Sequence, residues 1–347
     1  MLCPHNSGLF YMQIYDNHSL KKYNSFGFDA KCKRFIVLES ENDIVAYFNK
    51  RNRSLFLLLG GGSNLLIKND LDYDVLKLDL KGKRIVSDDK STITYEIMAG
   101  EYWHNFVEFL VNKSNSGLEN LALIPGNVGT APIQNIGAYG VEQEQYFVSL
   151  RGYNIETKQF EIYSKEQCEF GYRNSIFKSE LKGKFIITSV TYKLNKFESP
   201  NLSYKELENY LKTHDLRPTT KNIFDSVVNI RTNKLPSPSE LGNSGSFFKN
   251  PIISSKKFDE LVLDYPNLKG YPDEGGNIKI SAGWLIENAG LKGYRVGDAA
   301  VYDKHALILV NHGNANGDDI WQIAEYVIKT VLDKFQVRLE PEVNIVK

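Results

Sequence analysis

An arginine, a serine and a pair of glutamates, each set among glycines or prolines, are the side chains of this 347-residue chain best suited to chemistry. Arg173 stands in the apolar stretch GYRNSIF, where a guanidinium can grip a carboxylate or phosphate with two parallel hydrogen bonds. A surface ion pair is the commoner use of such a residue. Ser246 stands in GNSGSFFKNP. The G-x-S-x-G spacing of a nucleophile elbow is missing there, which leaves a turn hydroxyl, or a proton donor if something stabilises the alkoxide. Glu340 and Glu342 stand in LEPEV, where they are expected on one face of an extended segment that Pro341 marks as an edge strand. Two close carboxylates raise the pKa of one of them and make a general acid; two solvated glutamates are the plainer alternative. Tyr139, Tyr204 and Lys234 are further candidates, unremarkable taken singly. The six histidines are scattered without H-x-x-x-H or H-E-x-x-H spacing, so no metal site is expected.

Two backbone features accompany these side chains. Asn120–Val141 reads NLALIPGNVGTAPIQNIGAYGV and carries no charge, in a chain of which 24% is charged. Its four glycines and two prolines make it too broken for a helix, and it is too apolar for a solvated linker. It reads either as a cradle of backbone N–H groups for a large, partly anionic ligand or as a buried irregular connection. The apolar Ser54–Leu59 runs into Gly60-Gly61-Gly62-Ser63-Asn64 and then Leu65-Leu66-Ile67. Strand, glycine turn, strand is the expected order, whereas Rossmann and P-loop motifs need a helix after their glycines. The turn is either a plain tight turn or a rest for a pyrophosphate.

The elements that must position these residues mix both periods. Strands are expected at Phe35–Leu38, Val75–Leu80, Thr92–Ala99, Phe147–Tyr153, Gln159–Tyr163, Phe185–Leu194 and Ala306–Val310, and the chain closes on Val337–Val346. Helices are expected at Asp43–Asn49, Tyr102–Lys113, Ile280–Asn288 and Asp318–Phe335, the last with Asp318 and Asp319 as its cap. Without a regular βαβ rhythm the fold class is α+β rather than a doubly wound sheet. A Thr/Pro/Ser/Asn/Gly cluster at Arg231–Gly245 marks the last domain boundary. Lys+Arg and Asp+Glu balance at 42 each, and the lack of a basic run sets nucleic acid aside as a partner. Three widely spaced cysteines, Cys3, Cys32 and Cys168, fit a reducing cytoplasm. Neither a signal peptide nor a membrane span is expected.

Each patch is weak alone, but their order and wording are not. GGGSN, IPGNVGTAPIQNIGAYGVE, GYRNSIFK, GSFFKNP and LEPEV together resemble the UDP-N-acetylenolpyruvoylglucosamine reductases, flavoproteins of bacterial cell-wall synthesis. The resemblance covers residues 18–347, and Tyr204 in NLSYKEL is similar to the form with an extra substrate-capping loop. Two departures are small: GGGSN has glycine where the second position is often acidic, and GNVGTAP lacks the frequent serines.

The resemblance implies an FAD-binding module of the vanillyl-alcohol-oxidase type built from two subdomains, 18–78 and 79–233, the second carrying the substrate loop. A C-terminal α+β substrate domain, 234–347, follows them. Residues 1–17 would be a disordered extension, with Met12 an alternative start. It assigns Gly60, Gly61, Gly62, Ser63, Asn64, Pro125, Gly126, Gly129, Thr130, Ile133, Gln134, Asn135, Gly137 and Ala138 to a non-covalently held FAD. Tyr139, Tyr204, Lys234 and Asn250 go to the UDP-sugar; His305 lies in a motif near the substrate but at a varying position. NADPH would supply hydride through the flavin to the vinyl carbon of the enolpyruvyl ether. Arg173 would stabilise the enolate by charge, Glu342 as a protonated hydrogen-bond donor, and Ser246 would protonate C2 to give UDP-N-acetylmuramate. A cytoplasmic monomer is expected. Its rivals are an oxygen-using FAD oxidase and a flavin-free nucleotide-sugar binder.

Overall fold

The computed structural model describes residues 12–50 and 55–347; residues 1–11 of the expected extension, Cys3 and Ser54 lie outside them. Chain contacts divide the protein into two compact units that interleave in sequence. The first takes 32–61 and 72–228 with the amino terminus, and the second takes 19–31, 62–71 and 229–347. The chain passes from one to the other between Gly61 and Gly62, inside the glycine turn, and again at Val228–Asn229, inside the helix Thr220–Lys234.

The first unit holds two sheets. One has the order Gln13–Ser19, Lys31–Leu38, Leu71–Leu78, Phe56–Leu59, its last pair parallel with Leu59 opposite Lys77. Part of the expected extension is thus an ordered edge strand. The other is antiparallel, ordered Gln159–Ser164, Phe147–Asn154, Phe185–Asn195, Thr92–Met98, Lys83–Asp88. Phe185–Asn195 lies near its middle and is buried on both faces over most of its length, which is why it reads as a continuous apolar run. Helix Glu41–Lys50 covers the first sheet with Ile44, Tyr47 and Phe48, which join Ile36, Leu38, Leu76, Tyr153 and Ile186 in one core. The buried Asp74 carboxylate there is satisfied by a two-pronged bond from Arg34 (2.8 and 2.9 Å) and by the Tyr47 hydroxyl at 2.8 Å.

In the second unit, Gly242–Ser246, Ile308–Asn311, Ala299–Val301 and Arg295–Val296 form one antiparallel sheet, and Asn344–Val346 lies parallel to Leu65–Ile67. Helix Gly317–Phe335 buries Ile320, Ile323, Ala324, Val327, Val331 and Phe335, the expected 3.6-residue stripe. Its cap differs from expectation. Asn316 is the N-cap, its Oδ1 accepting from the amides of Asp318 and Asp319, while Asp319 reaches back to the Asn316 amide in a capping box. Asp318 instead pairs with Lys68 at 2.7 Å. Ile280 also differs: it ends the strand Asn277–Ile280, and the helix begins at Ala282 after Ser281 caps it.

Candidate functional site

The glycine turn is flanked by strands Phe56–Leu59 and Leu65–Ile67, as its sequence requires. In the first unit its leading half meets the charge-free run. A side chain on Gly60 would come 2.7 Å from Thr130 Cγ2, and one on Gly61 would come 2.8 Å from Gly126 Cα. Only glycine permits this approach. Thr130 is fixed from behind, its hydroxyl donating to the Asn127 carbonyl at 2.7 Å.

The run is not the open row of amides that its composition suggests. The amides of Val128 and Gly129 donate to Glu101 and Ala99, those of Thr130 and Ala131 to Asn127 and Val128, and that of Ile136 to Ala131. The side chain of Asn135 is wholly buried and braced by Glu142, Gly171, Gln143 and Glu144. Ile133 is held through its carbonyl by the Ser175 hydroxyl at 2.7 Å; Gln134 is half-buried and Pro125 exposed. Gly137 and Ala138 pair with Glu142 and Val141 in a two-stranded ribbon. Among the described residues the amides of Gly61 and Gly126 donate to no backbone carbonyl, and these two lie at the point of closest approach.

Lys77 is the residue that sequence reasoning missed. Its Nζ donates to the Gly60 carbonyl at 2.6 Å. Burial pushes its pKa below the ordinary lysine value, against the raising pull of Asp79, and Asp79 itself pairs with Lys81 at 3.1 Å. No carboxylate pairs with Lys77 among the described residues. An ammonium without a counter-ion beside two open glycine amides fits a pyrophosphate, and the glycine contacts leave room for backbone but not side chain. In sequence Lys77 is only one polar position in the strand LDYDVLKL.

Arg173 has a left-handed backbone (φ 52°), donates through Nη2 to the Gly137 carbonyl at 2.6 Å and lies over the Tyr172 ring at 5.4 Å. It is therefore tied to the end of the charge-free run. Tyr139, also left-handed at φ 48°, meets Tyr204 edge-to-face with ring centres 5.2 Å apart. Asn120 holds this corner through Nδ2, bonding the carbonyls of Tyr139 (2.8 Å) and Asn201 (3.0 Å). The capping-loop tyrosine and the run tyrosine are thus neighbours 65 residues apart in sequence.

In the second unit Gly62 is left-handed at φ 68°, and a side chain there would strike the Tyr23 carbonyl at 1.9 Å. Ser63 accepts from the Ser25 hydroxyl, and Asn64 donates to the Glu342 carbonyl at 3.3 Å while its own carbonyl takes the Asn344 amide. The Phe247 amide donates to Leu307 and its carbonyl accepts from the Glu342 amide at 2.8 Å. Ser246 and Glu342 therefore sit on adjoining extended segments across Phe247. The Ser246 side chain is exposed, and its hydroxyl has no partner among the described residues. Around Glu340 and Glu342 there is a single bridge, Phe248 to Pro341, instead of an edge strand. Glu340 is exposed toward Lys249 at 3.6 Å, whereas Glu342 is half-buried. Asn250 accepts from the Ala282 amide at 3.0 Å, Lys234 is exposed at the end of its helix, and His305 Nδ1 accepts from the Leu307 amide at 3.3 Å.

Two sheets in one unit and a glycine cradle beside a buried lysine fit an FAD-binding flavoprotein. Residues 33–155 match the description "FAD binding domain" and residues 237–346 match "UDP-N-acetylenolpyruvoylglucosamine reductase, C-terminal domain". Curated relatives named UDP-N-acetylenolpyruvoylglucosamine reductase include one from Flavobacterium johnsoniae, 47% identical over 96% of this chain and 100% of its own length. Another, from Shewanella sediminis, is 45% identical over 96% of this chain and 97% of its own length. The chain belongs to the UDP-N-acetylenolpyruvoylglucosamine reductase family. In fold it is similar to the crystal structure of that enzyme from Thermus caldophilus (TM-score 0.68, 23% identity, 97% of this chain and 100% of that one). It is also similar to a solvent-stable cholesterol oxidase (TM-score 0.50, 11% identity, 98% and 88% covered).

Proposed function

We propose that the chain reduces UDP-N-acetyl-3-O-(1-carboxyvinyl)-glucosamine to UDP-N-acetylmuramate with NADPH, in the making of peptidoglycan precursor. It is an FAD-dependent oxidoreductase, a UDP-N-acetylmuramate dehydrogenase. Non-covalently bound FAD supplies the hydride relay from NADPH to the terminal vinyl carbon. The chain's own residues do the rest. Gly60, Gly61, Gly126 and Thr130 admit the pyrophosphate and Lys77 balances its charge; Gly62, Ser63, Asn64, Pro125, Gly129, Ile133, Gln134, Asn135, Gly137 and Ala138 complete or brace that binding surface.

As hydride adds, negative charge grows on C2 and the substrate carboxylate. Arg173 answers it by charge and Glu342 by a hydrogen bond. Ser246 gives its proton to C2, and its exposure lets water replace that proton. One NADPH and one proton are consumed per double bond reduced. Tyr139, Tyr204, Lys234 and Asn250 hold or cover the UDP-sugar. The observation that most supports this reading is the Glu342 amide bonded to the Phe247 carbonyl, by which Ser246 and Glu342 lie on adjoining segments.

We place the enzyme in the cytoplasm as a monomer; among the described residues no helix is long and apolar enough to cross a membrane. The division into 18–78, 79–233 and 234–347 is likewise proposed. An anaerobic titration tests the function: NADPH bleaches the flavin absorbance, and the enolpyruvyl sugar nucleotide restores it with one equivalent of product. Recovery of absorbance in air alone, with no response to the sugar nucleotide, would overturn it.

A further inference from the structure

Helix Trp103–Asn112 starts at the flavin cradle, where the Trp103 amide donates to the Gly126 carbonyl. Its ten residues carry the chain about 15 Å away, and at that far end lies a second cavity, of about 740 Å³. Its lining comes from the outer strand Lys83–Asp88, from Ile93 and Tyr95 on the next strand, from Phe109 on the helix, from Lys113 at its C-cap, and from Asn115 beyond it. No residue of the glycine turn or the charge-free run takes part.

Three observations give this cavity a chemistry. Its floor is aromatic, with Phe109 and Tyr95 edge-to-face at 5.6 Å beside the buried Ile93. Its cations are unequal. Arg84 and Lys196 are spent on Glu96 and Asp88, but Lys83 lies over the Phe109 ring at 5.0 Å, and neither Lys83 nor Lys113 has a carboxylate partner among the described residues. Finally, Asn115 is only 6% exposed, and its Oδ1 accepts from the Tyr95 hydroxyl at 3.1 Å. Burial, then the charge of Asp88, pushes the Tyr95 phenol up, so it stays a donor and fixes the amide orientation. The Asn115 Nδ2 is left without a partner among the described residues, in a residue that lines the cavity.

An aromatic floor, two unspent ammoniums and one amide donor on a lining residue, in a volume suited to a small molecule, describe the complement of a flat, polar-edged ring bearing a phosphate. We propose that this cavity is a second ligand site for a mononucleotide, with the base on Phe109 and Ile93, its polar edge on Asn115, and the phosphate taken by Lys83 and Lys113.

Calorimetric titration of the flavin-loaded, full-length enzyme with AMP, and separately with inorganic phosphate, tests this. One saturable AMP site is expected, with phosphate alone weaker. In K83E/K113E, AMP affinity should fall about a hundredfold, as expected for two charge-assisted contacts, while flavin content and the KM for NADPH stay unchanged. The milder Lys113→Ala, with its single charge removed, should show a smaller loss in the same direction. Absence of saturable AMP binding would overturn the proposal. So would equal affinity in the wild type and both variants, which would put the nucleotide in the NADPH or flavin space.

Discussion

Lys77 Nζ sits 2.6 Å from the Gly60 carbonyl oxygen, one strand over from the turn that it supports. The pairing of Leu59 with Lys77 dictates this, because the last strand residue before the turn lies opposite the lysine. A half-buried ammonium whose one bonded acceptor among the described residues is a carbonyl is costly until an anion arrives. Lys77→Met should therefore weaken FAD binding by the apoprotein about tenfold or more, without lowering its thermal midpoint. Because burial puts the Lys77 pKa below 10.5, wild-type FAD affinity should also fall as pH rises toward that value, and the variant should lack the trend. Flavin fluorescence quenching reads both; equal affinities would remove Lys77 from the site.

Gly61→Ala addresses the cradle itself. A methyl group 2.8 Å from Gly126 Cα must push two backbones apart, costing about 1–3 kcal/mol. Purified variant should be depleted of flavin, and a fully yellow protein with wild-type affinity would contradict the contact.

Ser246→Ala should leave bleaching of the flavin by NADPH intact and slow product formation about 10²- to 10⁴-fold, the usual worth of a positioned proton donor. Rapid mixing separates the two half-reactions. If both run at the wild-type rate, C2 takes its proton elsewhere.

The two glutamates should part company. Glu340 is exposed and faces Lys249, so Glu340→Gln should change turnover and stability by less than about 1 kcal/mol. Glu342→Gln should lower kcat with little effect on flavin reduction. Equal effects would mean that the carboxylates act as a pair.

Glu119 immediately precedes the charge-free run and is almost wholly buried, accepting from the Ser116 hydroxyl at 2.9 Å and the Gly117 amide. Burial raises its pKa above 4.5 in spite of these bonds. The folded protein then holds the proton more tightly than the unfolded chain does. Its contribution is full below 4.5 and is lost as pH rises through the raised value. Thermal scans across that window should show stability falling with pH, and Glu119→Gln should flatten the slope.

Much of the site was legible in the wording of the chain. The glycine turn between two strands, the uncharged run, and the Arg173, Ser246 and Glu342 motifs all carry local signals, because glycine, proline and charge placement restrict a backbone wherever they occur. The capping of the last long helix was misplaced by two residues, since Asn316 and Asp318 are both good caps and only the turn before Gly317 chooses between them. The edge strand around Pro341 was misjudged because a single bridge to Phe248 already satisfies the segment.

What the sequence alone determined is the family, the candidates for the reacting side chains and the need for two glycine segments to approach something closely. The tertiary structure decided which amides remain open, because Val128 and Gly129 spend theirs on the carbonyls of Glu101 and Ala99, which only packing brings near. It also decided that a cation joins the cradle after all. Lys77 reaches Gly60 through a strand pairing, and pairing between distant segments leaves no mark at the paired residue.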